Sequence, residues 1–330
     1  MNACSYPSAS ERMQRALTIV LSALAATLSV GTWAGSTTAV GIVKDRYPAV
    51  SPNGETIIFE SNRSGPVQQI FSLELTSGVI TQLTYSQMAN ENPVWSPDGK
   101  KILFARRVPD RPRPSWDVFE MNADGTDVRN LTQSPGHDDH PRYSPDGTFI
   151  VFNSTRDVDL RDLTAEQIDN YEYNFEIYRQ SLLDGRTKRL TNYFEWDTFP
   201  SISPDGSRLL WRRIWSESGS GDSDTNSDVM VASLSDDEME NLTKHAAFDG
   251  YPSWSPDGSR IAFSSNRDGD SSVEFNIYIL DFASRDLIRV TDTIENTEQV
   301  RPAWFPDGTR IVFNRDYPDG RSEIHILELE

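Results

Sequence analysis

One cysteine, Cys4, is all the thiol this 330-residue chain has. An intramolecular disulfide is excluded, and so is any metal centre built on paired cysteines. Positive charge is scarce as well: 31 lysines and arginines face 50 aspartates and glutamates, for a net charge of −19. Such a surface repels phosphate backbones, so nucleic acid is excluded as an expected partner, while cations or partners with a basic face are favoured. Gly-x-Ser-x-Gly does not occur, which excludes a hydrolase built on a nucleophile elbow.

Long apolar runs are also missing, with one exception from Ala16 to Val30. Arg12 and Arg15 precede it, and Thr32-Trp33-Ala34 follows with a small last residue. This is the pattern of a secretory signal, expected over residues 1–34, with Met13 fitting as a start as well as Met1. The expected location is periplasmic or secreted, with no stable membrane span after cleavage. No cysteine follows the run, so no lipid anchor is expected, and cleavage would remove Cys4.

What is abundant is one phrase. It reads Val50-Ser51-Pro52-Asn53-Gly54, Trp95-Ser96-Pro97-Asp98-Gly99, Tyr143-Ser144-Pro145-Asp146-Gly147, Ile202-Ser203-Pro204-Asp205-Gly206, Trp254-Ser255-Pro256-Asp257-Gly258 and Trp304-Phe305-Pro306-Asp307-Gly308. Its prolines lie 45, 48, 59, 52 and 50 residues apart, a period that marks a repeat architecture. In each copy proline presets φ and glycine supplies φ > 0, which makes a turn. An alternating strand follows, such as Lys101-Ile102-Leu103-Phe104 or Arg310-Ile311-Val312-Phe313. A third strand comes next, such as Glu176-Ile177-Tyr178, and a fourth ends in Leu-Thr or Val-Thr, as at Leu83-Thr84 and Val290-Thr291. Four short strands per unit make a propeller blade.

The expected fold is therefore all-β: a six-bladed β-propeller over residues 37–330, with repeats near 47–84, 92–132, 140–191, 199–243, 251–291 and 301–330. The sixth unit stops after its third strand, so residues 38–43 are expected to close it from the N-terminal side and remove two free edges. Two insertions break the rhythm. Residues 157–174 enlarge the third blade, with Thr164-Ala165-Glu166-Gln167 reading as a capping box that opens a short helix. Residues 216–228 enlarge the fourth with Ser, Gly and Asp, a flexible loop.

These repeats resemble those of the TolB propeller family, whose signature is a Pro-x-Trp-Ser-Pro-Asp-Gly strand, an Ile-x-Phe strand and a Leu-Thr strand. The resemblance covers residues 37–330 and implies a periplasmic six-bladed scaffold for protein binding. TolB carries an α/β domain ahead of its propeller, for which this chain has no room. Similar repeats form the propellers of prolyl-oligopeptidase-like peptidases, whose Gly-x-Ser-x-Gly is missing here.

Three residues before the inner-strand proline of each repeat stand Asp45, Asn90, Asp138, Asp197, Asp249 and Gln299, with Glu91, Asp139, Glu195 and Glu298 beside some of them. On a propeller these positions are expected to ring the mouth of the central channel. Converging oxygens would suit Ca²⁺ or a partner's Lys or Arg; alternatively they satisfy backbone N–H groups in six equivalent turns. Asp222, Asp224, Asn226 and Asp228 alternate as in a calcium loop, without its glycine and its final glutamate. His137, His140 and His245 fall in loops before inner strands. Oligogalacturonate lyases, with related repeats, hold a metal through histidines, and that resemblance would imply metal-assisted chemistry on a uronate.

Arg63, Arg156, Arg267 and Arg315 are expected to tie loops to neighbouring blades, and Trp95, Trp254 and Trp304 to belong to the core. Asn130 and Asn241 are read as structural. No cofactor is required, and bound Ca²⁺ would be compatible. The sequence reading is a monomeric, non-enzymatic scaffold that binds an envelope protein or basic peptide segment through an acidic channel mouth and the insertions. Its rivals are a metal-assisted uronate enzyme and an envelope component that holds polysaccharide on Tyr171, Tyr173, Tyr193 and Trp196.

Overall fold

Each Ser-Pro-Asp-Gly phrase closes on itself. In the second repeat the Ser96 hydroxyl donates to Asp98, the Lys101 N–H donates back to Ser96 Oγ at 2.9 Å, and Gly99 takes φ +70°. The same bonds recur at Ser144, Ser203 and Ser255. The sixth copy replaces serine with Phe305, which is fully buried. The turn reverses the chain, and the apolar strand after it must pair with the strand before it.

The computed structural model describes residues 19–20, 42–109, 115–158, 174–193, 196–215, 226–236, 238–269 and 273–329. Strand β1 is Ile19–Val20. Blade 1 comprises β2 (Asp45–Val50), β3 (Thr56–Ser61), β4 (Gln69–Glu74) and β5 (Ile80–Gln82). Blade 2 comprises β6 (Asn90–Trp95), β7 (Lys101–Val108), β8 (Ser115–Asn122) and β9 (Arg129–Asn130). Blade 3 comprises β10 (Asp138–Tyr143), β11 (Phe149–Ser154), β12 (Glu176–Ser181) and β13 (Thr187–Arg189). Blade 4 comprises β14 (Asp197–Ile202), β15 (Arg208–Trp215), β16 (Asn226–Ser233) and β17 (Met239–Asn241). Blade 5 comprises β18 (Asp249–Trp254), β19 (Arg260–Ser265), β20 (Asn276–Asp281) and β21 (Leu287–Arg289). Blade 6 comprises β22 (Glu298–Trp304), β23 (Arg310–Asp316) and β24 (Ser322–Glu328), with β1 as its fourth strand.

All pairings within blades are antiparallel. The inner strands touch in sequence, β2 to β6, β6 to β10, β10 to β14, β14 to β18 and β18 to β22. β22 then meets β2 and the ring is closed. Every described residue lies in a strand, turn or connection, and none in a helix.

The core lies in the six seams. Between blades 6 and 1, Ile57, Phe59 and Phe71 pack on Phe305, Val312 and Ile324. Between blades 4 and 5, Val229 and Leu210 pack on Trp254, Ile261 and Phe263. Trp304 closes the seam with blade 5 and Trp95 packs between blades 1 and 2, so the repeated tryptophans are core. The threonine of Leu-Thr has a task that the sequence did not suggest. Thr84 Oγ1 accepts the Ile70 N–H at 2.9 Å, and Thr191 and Thr291 repeat this bond. Strand four thus hands its last donor and acceptor to strand three.

The strand beside β24 is not in residues 38–43; it is β1, which falls inside residues 1–34, the segment expected to be cleaved. β24 pairs with β1 in the register Ile19↔Ile326 and Val20↔His325. Of residues 38–43, 38–41 lie outside the described residues, and Ile42 and Val43 form no strand. Asn62 accounts for this. It accepts the Lys44 N–H at 2.8 Å and donates to the Ile42 carbonyl at 2.8 Å, so it ties this segment to blade 1 just before β2 begins. The capping box at residues 164–167 and residues 216–225 lie outside the described residues. The second insertion ends sooner than expected, because β16 already starts at Asn226, opposite Trp215.

Candidate functional site

Each inner strand begins with a residue that its own blade consumes. Arg63 donates to Asp45 at 2.6 Å, Arg156 to Asp138 at 3.0 Å and Arg267 to Asp249 at 2.6 Å. Arg213 grips Asp197 with two bonds of 2.7 Å. Where the carboxylate is replaced, an amide oxygen takes its place: Arg106 donates to Asn90 at 2.7 Å and Arg315 to Gln299 at 2.9 Å. Each guanidinium also lies over an aromatic ring of its own second strand, Phe59, Phe104, Phe152, Trp211, Phe263 or Phe313. Asn90, Asp138, Asp197, Asp249 and Gln299 are 0 % exposed.

These positions therefore correct the sequence reading. They are buried inside blades and do not ring an open mouth, because the arginines opposite them need anionic or amide partners once out of water. The arginines, in turn, bind their own blade and not a neighbouring one. Asn130 and Asn241 do similar work lower down, donating to Asp117 and Asp228.

The ring of the channel is made two residues later. All six inner strands lose register at the same place, between Arg46 and Ala49, Glu91 and Val94, Asp139 and Arg142, Thr198 and Ser201, Gly250 and Ser253, and Val300 and Ala303. The cause is the proline, which has no N–H for the ladder and forces a bulge. The residue before it swings into the left-handed region: Tyr47, Asn92, His140, Phe199, Tyr251 and Arg301 have φ between 50° and 62°. For residues other than glycine this costs on the order of 1–3 kcal/mol each, and such strain clusters where side chains are aimed at a ligand.

The six side chains form a collar. Ring centroids lie 6.0 Å apart for Tyr47 and His140, 3.8 Å for His140 and Phe199, and 4.7 Å for Phe199 and Tyr251. The Arg301 guanidinium bridges Tyr251 at 4.9 Å and Tyr47 at 4.3 Å. Asn92 completes the circle; its N–H donates to Glu60 at 3.0 Å and its Nδ2 to Asp139 at 2.6 Å. Tyr47, Asn92, Phe199, Tyr251 and Arg301 of the collar line a throat of about 40 Å³, together with Arg142. That is room for a few waters or one small functional group.

Charges of both signs surround the throat. Glu60, Glu91 and Asp139 stand on blades 1 to 3. Burial pushes Glu91 up to about 9 and Glu60 to about 7. Burial also works to raise Asp139, but His140, His137 and the His140 N–H outweigh it and hold the carboxyl below its usual range. Arg142 shares β10 of blade 3 with Asp139, and Arg212 and Arg301 stand on blades 4 and 6. Burial lowers Arg142 to about 10, which leaves it a cation at neutral pH. In place of the expected uniformly acidic mouth, carboxyls and arginines are interleaved around the throat.

Two of these arginines stand where other blades have something smaller or opposite in charge. At the level of Arg142 the register places Ala49, Val94, Ser201, Ser253 and Ala303 in the other inner strands. Arg212 stands level with Glu60 across the ring, and with Ala105, Asn153, Ser264 and Asn314. Its guanidinium lies over Phe199, Phe248 and Tyr251 at 4.9, 5.1 and 5.8 Å. Gly250 makes the space: a Cβ there would stand 2.9 Å from Arg212 Cδ and 2.6 Å from the Phe248 ring.

The histidines do not converge. His137 packs edge-on against Phe175, with Nε2 3.6 Å from Asp139. His140 Nδ1 is 2.9 Å from Asn153 Oδ1, and burial lowers the imidazole to about 4. His245 is exposed on a separate loop, where its Nδ1 accepts the Ala247 N–H. Among the described residues no three His, Cys, Asp or Glu side chains are grouped to hold a metal.

The calcium-like run is described only in part. Asp222 and Asp224 lie outside the described residues, and Asn226 and Asp228 start β16. Asp228 is buried and accepts from Asn241, Thr243 and the His245 N–H. Of the four aromatics offered for polysaccharide, Tyr171 and Tyr173, like Glu195, lie outside the described residues. Tyr193 packs on Trp215 and Trp196 on Phe175.

Residues 224–330 match the sequence family described as TolB beta propeller domain. Among solved structures, TolB from Acinetobacter baumannii superposes with a TM-score of 0.61 and 23% identity, over 79% of this chain and 57% of that one. A putative TolB from Agrobacterium tumefaciens gives 0.61 and 19%, over 87% and 90%. An oligogalacturonate lyase in complex with manganese gives 0.57 and 16%, over 88% and 90%. A curated relative, the uncharacterized peptidase YuxL of Bacillus subtilis strain 168, is 27% identical over 235 residues; these are 71% of this chain and only 24% of the relative's length. At these identities the solved structures establish the fold.

Proposed function

We propose that this TolB-like six-bladed propeller is a binding scaffold that receives a protruding group of a partner in the throat of its collar. The observation that carries the reading is the set of six left-handed residues before proline, five of which, all but His140, line one throat. A ring held only for its own stability would repeat one favourable residue, as the buried Asp–Arg pairs nearly do. Instead, strained positions carry two tyrosines, an asparagine, a histidine, a phenylalanine and an arginine. We place the scaffold in the cell envelope, with an envelope protein as partner. No helix among the described residues is long and apolar enough to cross a membrane.

Metal-assisted chemistry on a uronate is the weaker reading. His137 and His140 share Asp139, while His245 lies on another loop.

Photo-crosslinking tests the proposal. Benzoylphenylalanine in place of Phe199 should capture a partner from envelope extract, and the same group at Leu183, on an outer turn and 95% exposed, should not. Capture from Leu183 alone would move the binding surface off the channel and overturn the proposal.

A further inference from the structure

The throat holds more guanidinium than its carboxylates engage. Arg46, Arg142, Arg212 and Arg301 stand at or beside it. Among the described residues the only carboxylate in ion-pair contact with any of them is Asp316, which Arg46 approaches at 3.3 Å and Arg301 at 3.5 Å. Arg142 donates one Nη to the carbonyl of its neighbour Pro141 at 2.9 Å. Arg212 donates its Nε to Thr198 Oγ1 at 3.1 Å. The remaining donors of these two groups have no protein acceptor among the described residues. Asp139, the nearest carboxylate to Arg142 in sequence, is occupied by Asn92 Nδ2 and the His140 N–H. Elsewhere in the ring each buried arginine opposite the first inner-strand residue has an oxygen at 3.0 Å or less.

Arg142 is half-buried and lines the throat with unengaged donors, and the planar fork of a guanidinium matches a carboxylate. We infer that the throat is a carboxylate-binding site, in which Arg142 takes the anion and Arg301 and Arg212 flank it. This rests on the reading of the channel as the docking point and adds the chemistry of the docked group.

Three features restrict the ligand. The volume of about 40 Å³ admits one small group and excludes a folded element or a whole sugar ring. The walls include Tyr47, Phe199 and Tyr251, whose ring edges, and not their electron-rich faces, favour an anion. Of the facing carboxyls, burial raises Glu91 to about 9, which keeps it protonated near neutral pH, and Glu60 to about 7, which leaves it about half ionised, so these two repel a negative charge less than free carboxylates would. The net charge of −19 does not forbid the site. At physiological salt the field of exposed charges decays over about 8 Å, so the local guanidiniums dominate inside the throat.

Titration calorimetry on the full chain tests this with N-acetyl-glycyl-glycine, the same compound as its C-terminal amide, galacturonate and inorganic phosphate. The free acid should bind at least tenfold more tightly than the amide, and Arg142→Ala should abolish that preference. This variant should remain folded, because blades 1 and 6 carry alanine at the same register position. Tighter binding of galacturonate than of the dipeptide would assign the carboxylate to a sugar acid, and the reverse would assign it to a chain terminus. Equal binding of acid and amide, preference for phosphate, indifference to Arg142→Ala, or no binding of any probe would overturn the inference. The Phe199 crosslink read in parallel separates the two claims. Capture with no carboxylate preference would leave the scaffold standing and remove only this inference.

Discussion

Arg213 and Asp197 face each other through two parallel hydrogen bonds of 2.7 Å, with side chains 4 % and 0 % exposed. Five sister pairs occupy the same place in the other blades, and two of them use an amide in place of the carboxylate. The fold has therefore already made the substitution that an experimenter would choose.

Arg213→Ala should cost about 3–5 kcal/mol, because it strands a buried carboxylate. Asp197→Asn should cost only about 1 kcal/mol, since an amide oxygen still accepts from the guanidinium, as Asn90 does. Urea denaturation of both variants checks the ordering. Equal losses would show that charge, and not the hydrogen bond, holds the pair.

Glu91 is predicted to make stability fall with rising pH. Its folded pKa, about 9, lies above the ordinary value. The native state therefore holds the proton more tightly than the unfolded chain does, and stability declines from about pH 4.5 upward until the folded group has titrated. Burial leads, Glu60 and Asp139 add to it, and Arg46 and Arg301 oppose it. Glu91→Gln should match the wild type near pH 5 and exceed it by about 2 °C in melting temperature near pH 8. Thermal melts at the two pH values decide, and a difference that shrinks with pH would contradict the assignment.

Gly250→Ala should disturb the collar without disturbing the turn chemistry. The glycine is not left-handed; it is needed because Phe248 and Arg212 occupy the space of a Cβ. Overpacking of this kind costs about 1–3 kcal/mol. The Phe199 crosslinking yield should fall together with stability, whereas a loss of stability with full crosslinking would place Arg212 outside the docking geometry.

Asp205 should titrate near 2. The Ser203 hydroxyl is the main cause, followed by the Ser207 N–H and hydroxyl. Its contribution to stability is present above the ordinary carboxylate pKa and is lost as pH falls through about 2. Ser203→Ala should move the titration upward, which carboxyl-carbon NMR would detect. An unchanged midpoint would remove the hydroxyl as the cause.

The repeat count, the turn, the strand order and the core tryptophans were legible because each is a local signal repeated six times. The site was not. Counting back three residues from proline finds the most uniform position, and uniformity across six blades is the mark of shared architecture. The informative position was the residue immediately before proline, where Tyr47, Asn92, His140, Phe199, Tyr251 and Arg301 differ. Its orientation could not be read from alternation, because the proline-induced bulge breaks the two-residue period at that point. Arg142 and Arg212 were equally hidden. Only the register shows them standing level with Ala49 and Glu60.

A ring of six alike blades has no preferred heading, and a partner seated on its axis would be free to turn. The collar removes that freedom. Arg301 stands between two tyrosines on one arc, His140 lies tilted against Phe199 on another, and Asn92 bonds Glu60 and Asp139 on a third, so the six rotations of a docked group are unequal in contact and in charge. A partner held here would have its azimuth fixed as well as its position, and anything attached to it would leave the channel over one chosen blade.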